Sequence, residues 1–242
     1  SNMPQYYLSI IIPAYNEEMR IGNTMSSIIS FVEAQPFKTE VLVVDNGSTD
    51  RTAEIISDLS ANYPYIKYLY EPVRGKGSAV KNGILSAKGE YLLLCDADMA
   101  VPLSNVSKFL PHTEGASDIV IGSREMPGSK RYNEPFFRHI TGRIFNCMVQ
   151  LFVLPGINDT QCGFKLFRRE AAYDLFKRSI IKGWSFDVEV LYIARLRGYD
   201  IIEAPVDWYY GEFSRVNVFS DPCYMLKDIF QIRLNASRGV YK

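Results

Sequence analysis

Asp96 and Asp98 stand two residues apart, directly after the apolar run Tyr91-Leu92-Leu93-Leu94-Cys95. At about 3.3 Å per residue their Cα atoms would lie roughly 7 Å apart, and both side chains can leave one edge of a strand. Two carboxylates with no histidine or thiol partner suit a hard cation such as Mg2+ or Mn2+, which would in turn hold a diphosphate. A helix-capping aspartate before Ala100-Val101-Pro102 has the same spacing, and so do the paired carboxylates of a glycosidase. Polar clusters after two other apolar runs, Tyr15-Asn16-Glu17-Glu18 and Asp45-Asn46-Gly47, favour the diphosphate, since a glycosidase does not need them. Lys76 adds a cation between Gly75 and Gly77, where backbone can approach a phosphate and a helix begins. A Walker loop would need Ser or Thr after the lysine, and no GxGxxG follows the first apolar run, so neither nucleotide fingerprint is present.

These residues need a scaffold, and the chain supplies alternating patterns for one. Leu8–Pro13, Val41–Asp45, Ile66–Tyr70 and Tyr91–Asp96 are short apolar runs of the kind buried on both faces of a parallel sheet. Helical stripes lie between them, over Arg20–Glu33, around Ala53, Ile56 and Leu59, and over Gly77–Ala87. Strand and helix in alternation imply an α/β sheet with right-handed crossovers, with ligands outside the carboxyl ends of the strands. The second half predicts strands at Ile119–Ser123, Gly163–Phe167 and Ile201–Val206. It also predicts helices at Phe136–Leu154, Arg169–Arg178, Asp187–Arg197 and Pro222–Leu234.

Composition narrows the class. The 242 residues carry 27 basic and 27 acidic side chains, a balance that argues against a nucleic-acid binder. The charge is uneven, however: residues 1–123 carry 9 basic and 14 acidic side chains, whereas residues 124–182 carry 11 and 5. The middle segment is a candidate for holding anions. Cys95, Cys147, Cys162 and Cys223 lack CxxC spacing and read as reduced thiols of a cytoplasmic protein. Ser1-Asn2 before Met3 reads as a tag remnant, leaving one domain over 3–242. The apolar part of the Phe136–Leu154 helix is too short to cross a roughly 30 Å bilayer core. It could lie in the membrane interface or be buried in the core, and the stripe Met225, Ile229, Phe230 and Ile232 could pack internally or support self-association.

Four motifs come in the order and spacing of glycosyltransferase family 2: Ile12-Pro13-Ala14-Tyr15-Asn16-Glu17-Glu18, Val43-Val44-Asp45-Asn46-Gly47-Ser48-Thr49-Asp50, Gly75-Lys76-Gly77 and Asp96-Ala97-Asp98. Gly122-Ser123-Arg124, Asp159 to Lys165, Phe186-Asp187-Val188-Glu189 and Pro205-Val206-Asp207-Trp208 resemble its polyprenyl- or dolichyl-phosphate sugar synthase branch. The resemblance spans about residues 8–216. It implies a GT-A-type nucleotide-sugar-binding fold, α/β with a central mostly parallel sheet flanked by helices. The implied donor-binding half is 3–123 and the acceptor-binding half 124–242.

The resemblance also implies roles. Pro13, Ala14, Tyr15 and Glu17 match the segment around base and ribose, and Asp45 the carboxylate that accepts from the base edge. Gly75 and Lys76 match the loop beside the nucleotide, and Asp96, Ala97 and Asp98 the diphosphate and Mg2+ or Mn2+ motif. Arg124 matches an arginine near the phosphates, Gln161 a loop beside the donor sugar, and Arg138 or Arg143 the holder of the lipid phosphate. Arg215 is near a position that closes over the donor. Asp187 or Glu189 falls near the base of members that glycosylate a hydroxyl; with a phosphate acceptor either could position a loop instead, and Asp187 is the stronger candidate. Ala100 replaces a glutamine of some members, and Trp208 stands where mannosyl enzymes carry a basic residue, which points to the glucosyl type. Phe213 is an extra residue before Ser214-Arg215.

The expected activity is inverting, metal-dependent transfer of a hexose from UDP-glucose or GDP-mannose to a polyprenyl phosphate, with no nucleic-acid partner. The expected location is cytoplasmic, with peripheral contact at the inner face of the membrane and self-association open. Transfer to a saccharide or protein hydroxyl is the alternative within the family. Sugar-nucleotide synthesis lacks its glycine-rich activating loop, and a silent binding module is disfavoured by intact Asp45, Asp96 and Asp98.

Overall fold

The structure is a computed structural model, and it describes residues 3–211 and 221–242. Seven strands form the main sheet in the order β3-β2-β1-β4-β7-β5-β8: β1 (Tyr6–Ala14), β2 (Thr39–Asp45), β3 (Ile66–Tyr70), β4 (Gly89–Cys95), β5 (Ile119–Ser123), β7 (Phe164–Arg168) and β8 (Ile201–Pro205). All neighbours are parallel except β7, which runs antiparallel to both β4 and β5. The sheet is therefore mostly parallel, as expected.

Alternate residues of each central strand enter different layers, which is why the runs read as almost continuously apolar. Ile11, Leu42, Val44, Leu92 and Leu94 face one layer, made by α3 (Lys76–Ser86), α5 (Phe136–Phe152), α6 (Arg169–Phe176), α7 (Phe186–Leu196) and α8 (Asp221–Ser237). Ile10, Ile12, Val41, Val43 and Leu93 face the other, made by α1 (Ile21–Ala34), α2 (Thr52–Asn62) and α4 (Val106–Glu114). All of these side chains are buried, so a polar substitution without a hydrogen-bond partner would cost several kcal/mol.

Two features go beyond the sequence reading. Helix α4 buries Val106, Phe109 and Leu110 although Pro111 lies inside it. Proline in the first turns loses little, but here it falls late in a nine-residue helix, so the apolar stripe outweighs the missing amide. A second sheet pairs β6 (Lys130–Tyr132) in parallel with β9 (Asp207–Tyr209). Each has three residues, too few for a periodic signal, and the stacked rings of Tyr132 and Tyr209, 4.6 Å apart, hold them together.

Helix α5 is not a buried core helix. It buries Phe145, Asn146 and Val149, while Phe136, Ile144 and Leu151 are 78%, 58% and 74% exposed. On α8 the expected stripe divides: Met225, Ile229 and Ile232 are buried, and Phe230 is exposed beside the ring of Phe152. No helix among the described residues is long and apolar enough to cross a membrane.

Candidate active site

The carboxyl ends of β1 and β4 open onto a cleft of about 350 Å3, lined from both halves of the chain. Pro13, Ala14, Tyr15 and Glu17 come from the loop after β1, and Asp96, Ala97 and Asp98 from the loop after β4. Gly75 and Lys76 enter from the start of α3, and Arg124, Arg138, Gln161, Asp187 and Trp208 from the second half. A parallel sheet places its strand-to-helix turns on one edge, which helps bring together residues as far apart in sequence as Pro13 and Met225, 212 positions.

The turn carrying the two aspartates is held from three sides. Thr24 Oγ1 donates to the Ala97 carbonyl at 2.6 Å, the Ala100 amide donates to Asp98 Oδ1 at 3.1 Å, and the Tyr209 amide donates to the Ala100 carbonyl at 2.9 Å. Met99 in this turn has φ of +51°, a conformation unusual for a long side chain and typical of strain kept at functional loops. Asp96 Oδ2 lies flat on Gly163: a Cβ there would be 1.8 Å from it. No other residue type fits beneath that carboxylate.

Lys76 Nζ lies 2.6 Å from Asp96 Oδ1 and 5.0 Å from the centre of the Trp184 ring. Burial opposes its charge, but the carboxylates of Asp96 and Asp187 raise its pKa overall, so it stays an ammonium. Gly75 caps α3 with φ of +129°, and a Cβ there would be 2.1 Å from the carbonyl oxygen of Lys182, so both conformation and space demand glycine.

Arg124 is neutralised in a buried pair. Its Nε and Nη2 donate to Asp159 at 2.8 and 2.9 Å, and its own amide donates to the same carboxylate at 2.9 Å. Burial works against Asp159, yet Arg124 holds its pKa down to about 2. The Arg124 guanidinium also sits 5.0 Å above the Trp208 ring. Arg138 lies 5.2 Å from the Tyr210 ring centre. Asp187 is 5% exposed; burial raises its pKa, offset in part by Lys165, whose Nζ lies 3.0 Å from Oδ1, and by Lys76.

Three expected residues are placed elsewhere among the described residues. Asp45 is 2% exposed and does not line the cleft: Oδ1 accepts from the Ser48 amide at 3.0 Å and Oδ2 from the Tyr68 hydroxyl at 2.7 Å. Both carboxylate oxygens are thus engaged within the turn after β2 and its neighbouring strand β3. Asn46 is the residue of that turn that reaches the cleft, and its side chain bonds the Glu71 and Val73 carbonyls and the Gly75 amide. Arg143 is exposed on α5 and is not part of the lining. Glu189 is wholly buried away from the cleft. Arg215 and Phe213 lie outside the described residues.

Arg20, Arg74, Arg131, Trp184 and Tyr210 line the cleft without having been anticipated. Arg74 stacks on Tyr15 at 3.7 Å, Arg20 pairs with Glu17, and Arg131 pairs with Glu125 and with Glu134. The excess of basic residues in 124–182 was the signal available for Arg131; nothing local marked the other four.

Asp96 and Asp98 supply two carboxylates to the cleft. Among the described residues no group of three or more His, Cys, Asp or Glu is arranged to hold a metal ion. Asp98 has its pKa raised by burial and then by the charge of Asp96, so the two carboxylates are close enough to repel. That fits a hard divalent cation drawing its remaining ligands from a diphosphate and water.

Known proteins resemble this chain in sequence and fold. The sequence profile of glycosyl transferase family 2 matches residues 9–176. The dolichyl-phosphate beta-glucosyltransferase of Dictyostelium discoideum is 36% identical over 252 residues, covering 98% of this chain and 76% of that protein. The human protein of the same name is 35% identical over 257 residues, covering 99% and 78%. Among solved structures, mannosyl-3-phosphoglycerate synthase from Rubrobacter xylanophilus superposes with a TM-score of 0.69 at 17% identity, covering 97% of this chain and 76% of that one. Glucosyl-3-phosphoglycerate synthase from Mycobacterium tuberculosis, solved with Mn2+, UDP and glucosyl-3-phosphoglycerate, gives 0.67 at 18% identity, covering 96% and 80%. At these identities the likeness is one of fold.

Proposed function

The chain belongs to glycosyl transferase family 2 and is a glycosyltransferase of GT-A fold, and from that premise we propose that it transfers glucose from UDP-glucose to a polyprenyl phosphate with inversion. The observation that carries this reading is one cleft in which Asp96, Asp98 and Lys76 face Arg124 and Arg138. A nucleoside diphosphate and a second phosphate are both anions, and a site that joins them must lower their repulsion.

Residues 3–123 supply the donor side and 124–242 the acceptor side. Asp96 and Asp98 would hold the Mg2+ or Mn2+ that accompanies the diphosphate, and that ion would stabilise the charge growing on the leaving group. Lys76 adds a fixed positive charge at the same place. An oxygen of the acceptor phosphate attacks the anomeric carbon as the bond to the nucleoside diphosphate breaks. That oxygen is already anionic near neutral pH, so Asp187 has no proton to remove and keeps Lys165 and Lys76 in place instead. Arg138 takes the acceptor phosphate, beside Arg124. The beta-glucosyl names of the relatives and Trp208 under Arg124 support glucose over mannose.

A polyprenyl chain needs a lipid surface near this opening. Helix α5 presents Phe136, Ile144 and Leu151 outward on the helix that carries Arg138, and we place it in the interfacial layer, with the protein peripheral to the cytoplasmic face. The deciding experiment is a donor panel of UDP-glucose and GDP-mannose, each with polyprenyl phosphate or soluble sugars, with released nucleotide quantified. UDP release that needs both polyprenyl phosphate and Mn2+ supports the assignment; release driven by soluble sugars would move it to the hydroxyl-acceptor branch.

A further inference from the structure

One completely buried carboxylate takes no part in the chemistry just proposed. Glu189, in the first turn of α7, has no solvent exposure. Its Oε1 accepts from the amides of Ile180 at 2.8 Å and Ile181 at 3.0 Å. Its Oε2 accepts from the Tyr241 hydroxyl at 2.7 Å, and that hydroxyl accepts from Asn235 Nδ2 at 3.2 Å. Burying a carboxylate is costly unless its lone pairs are met by donors, and here three donors converge on it.

These bonds fix the segment between α6 and α7, and that segment is the backing of the Lys76 loop. A Cβ on Gly77 would lie 2.4 Å from the Ile181 carbonyl oxygen, and one on Gly75 would lie 2.1 Å from that of Lys182. The Ser78 amide donates to the Lys182 carbonyl at 3.2 Å, and Lys81 Nζ donates to the Ser179 carbonyl at 2.7 Å. The two backbones touch with nothing between them, and Lys76 stands between the two glycines. The same segment carries Trp184, whose ring lies beneath the Lys76 ammonium and whose carbonyl accepts from Gln161 Nε2 at 3.5 Å.

We propose that Glu189 is a positioning residue that, together with Tyr241, holds residues 180–184 against the Gly75–Gly77 loop and so sets where the Lys76 ammonium meets the donor diphosphate. The inference rests on the donor-site reading above. Because Tyr241 follows α8, and α8 borders the cleft through Met225, this hydrogen bond also ties the acceptor side of the cleft to the donor loop.

The test is calorimetric binding of UDP in the presence of Mn2+, with steady-state kinetics alongside. Glu189→Ala should weaken UDP binding about tenfold while leaving the KM for polyprenyl phosphate within twofold. Glu189→Gln, which keeps an acceptor for both amides, should recover most of the affinity, and Tyr241→Phe should lose about threefold. Combined with Lys76→Ala, Glu189→Ala should add nothing, since its effect is exerted through that lysine. Wild-type affinity in a folded Glu189→Ala protein, or full additivity with Lys76→Ala, overturns the proposal. Should Glu189→Ala not fold, Tyr241→Phe in the same cycle decides by the same criterion. If the wild-type protein binds no UDP at all, the donor-site reading fails and this inference falls with it.

Discussion

The ammonium of Lys76 rests 2.6 Å from Oδ1 of Asp96, across the floor of the cleft, although 20 residues separate them in the chain. The two charges neutralise each other in the cleft; on the proposed reading a donor diphosphate would take the lysine and Asp96 would help hold the divalent cation. Lys76→Ala should therefore lower kcat by on the order of 10²-fold, the typical loss of one preorganised charge donor. Stopped assays of UDP release measure this, and an unchanged kcat would remove Lys76 from the chemistry.

Asp98→Ala should abolish metal-dependent transfer, and EDTA should do the same to the wild-type protein, with activity returning on addition of Mn2+ or Mg2+. Turnover that persists in EDTA would contradict the assignment of the acidic pair.

Gly163 carries no functional group, yet a methyl there would stand 1.8 Å from Asp96 Oδ2. Gly163→Ala must displace the carboxylate, and the expected result is a 10- to 100-fold weaker Mn2+ affinity, roughly the range for a lost supporting contact. Mn2+ titration by electron paramagnetic resonance reads this directly, and thermal unfolding separates it from general loss of fold.

The buried Arg124–Asp159 pair predicts a pH dependence of stability. The folded-state pKa of Asp159 is depressed, to about 2 from 3.8. Its contribution is therefore complete above the unfolded value and is lost as pH falls through the folded one. At about 1.4 kcal/mol per pKa unit, the stability gap between wild type and Asp159→Asn should narrow by roughly 1–2 kcal/mol between pH 5 and pH 2.5. Urea unfolding at the two pH values tests it; a gap independent of pH would show that the pair is not ionised as drawn.

Arg138→Ala should raise the KM for polyprenyl phosphate about tenfold, on the order of 1.4 kcal/mol, and leave the KM for UDP-glucose unchanged. A rise in the donor KM instead would place Arg138 on the other side of the cleft.

The pattern of residues was enough for the four parallel strands of the first half, because strands buried on both faces must be apolar at nearly every position. The acidic and glycine-flanked motifs were equally visible, since a parallel sheet brings its strand ends to one edge. Sequence did not reveal which charges are already committed. Asp45 and Asp96 both follow apolar strands, but the Tyr68 hydroxyl, 23 residues away, takes the first while the second stays in the cleft. Asp187 and Glu189 sit two apart on one helix, and only packing turns one toward the cleft and the other toward Ile180, Ile181 and Tyr241. Local spacing encodes the period of an element and the face a residue occupies. The partner on that face comes from a distant part of the chain, and it alone decides whether a carboxylate is a ligand or a clamp.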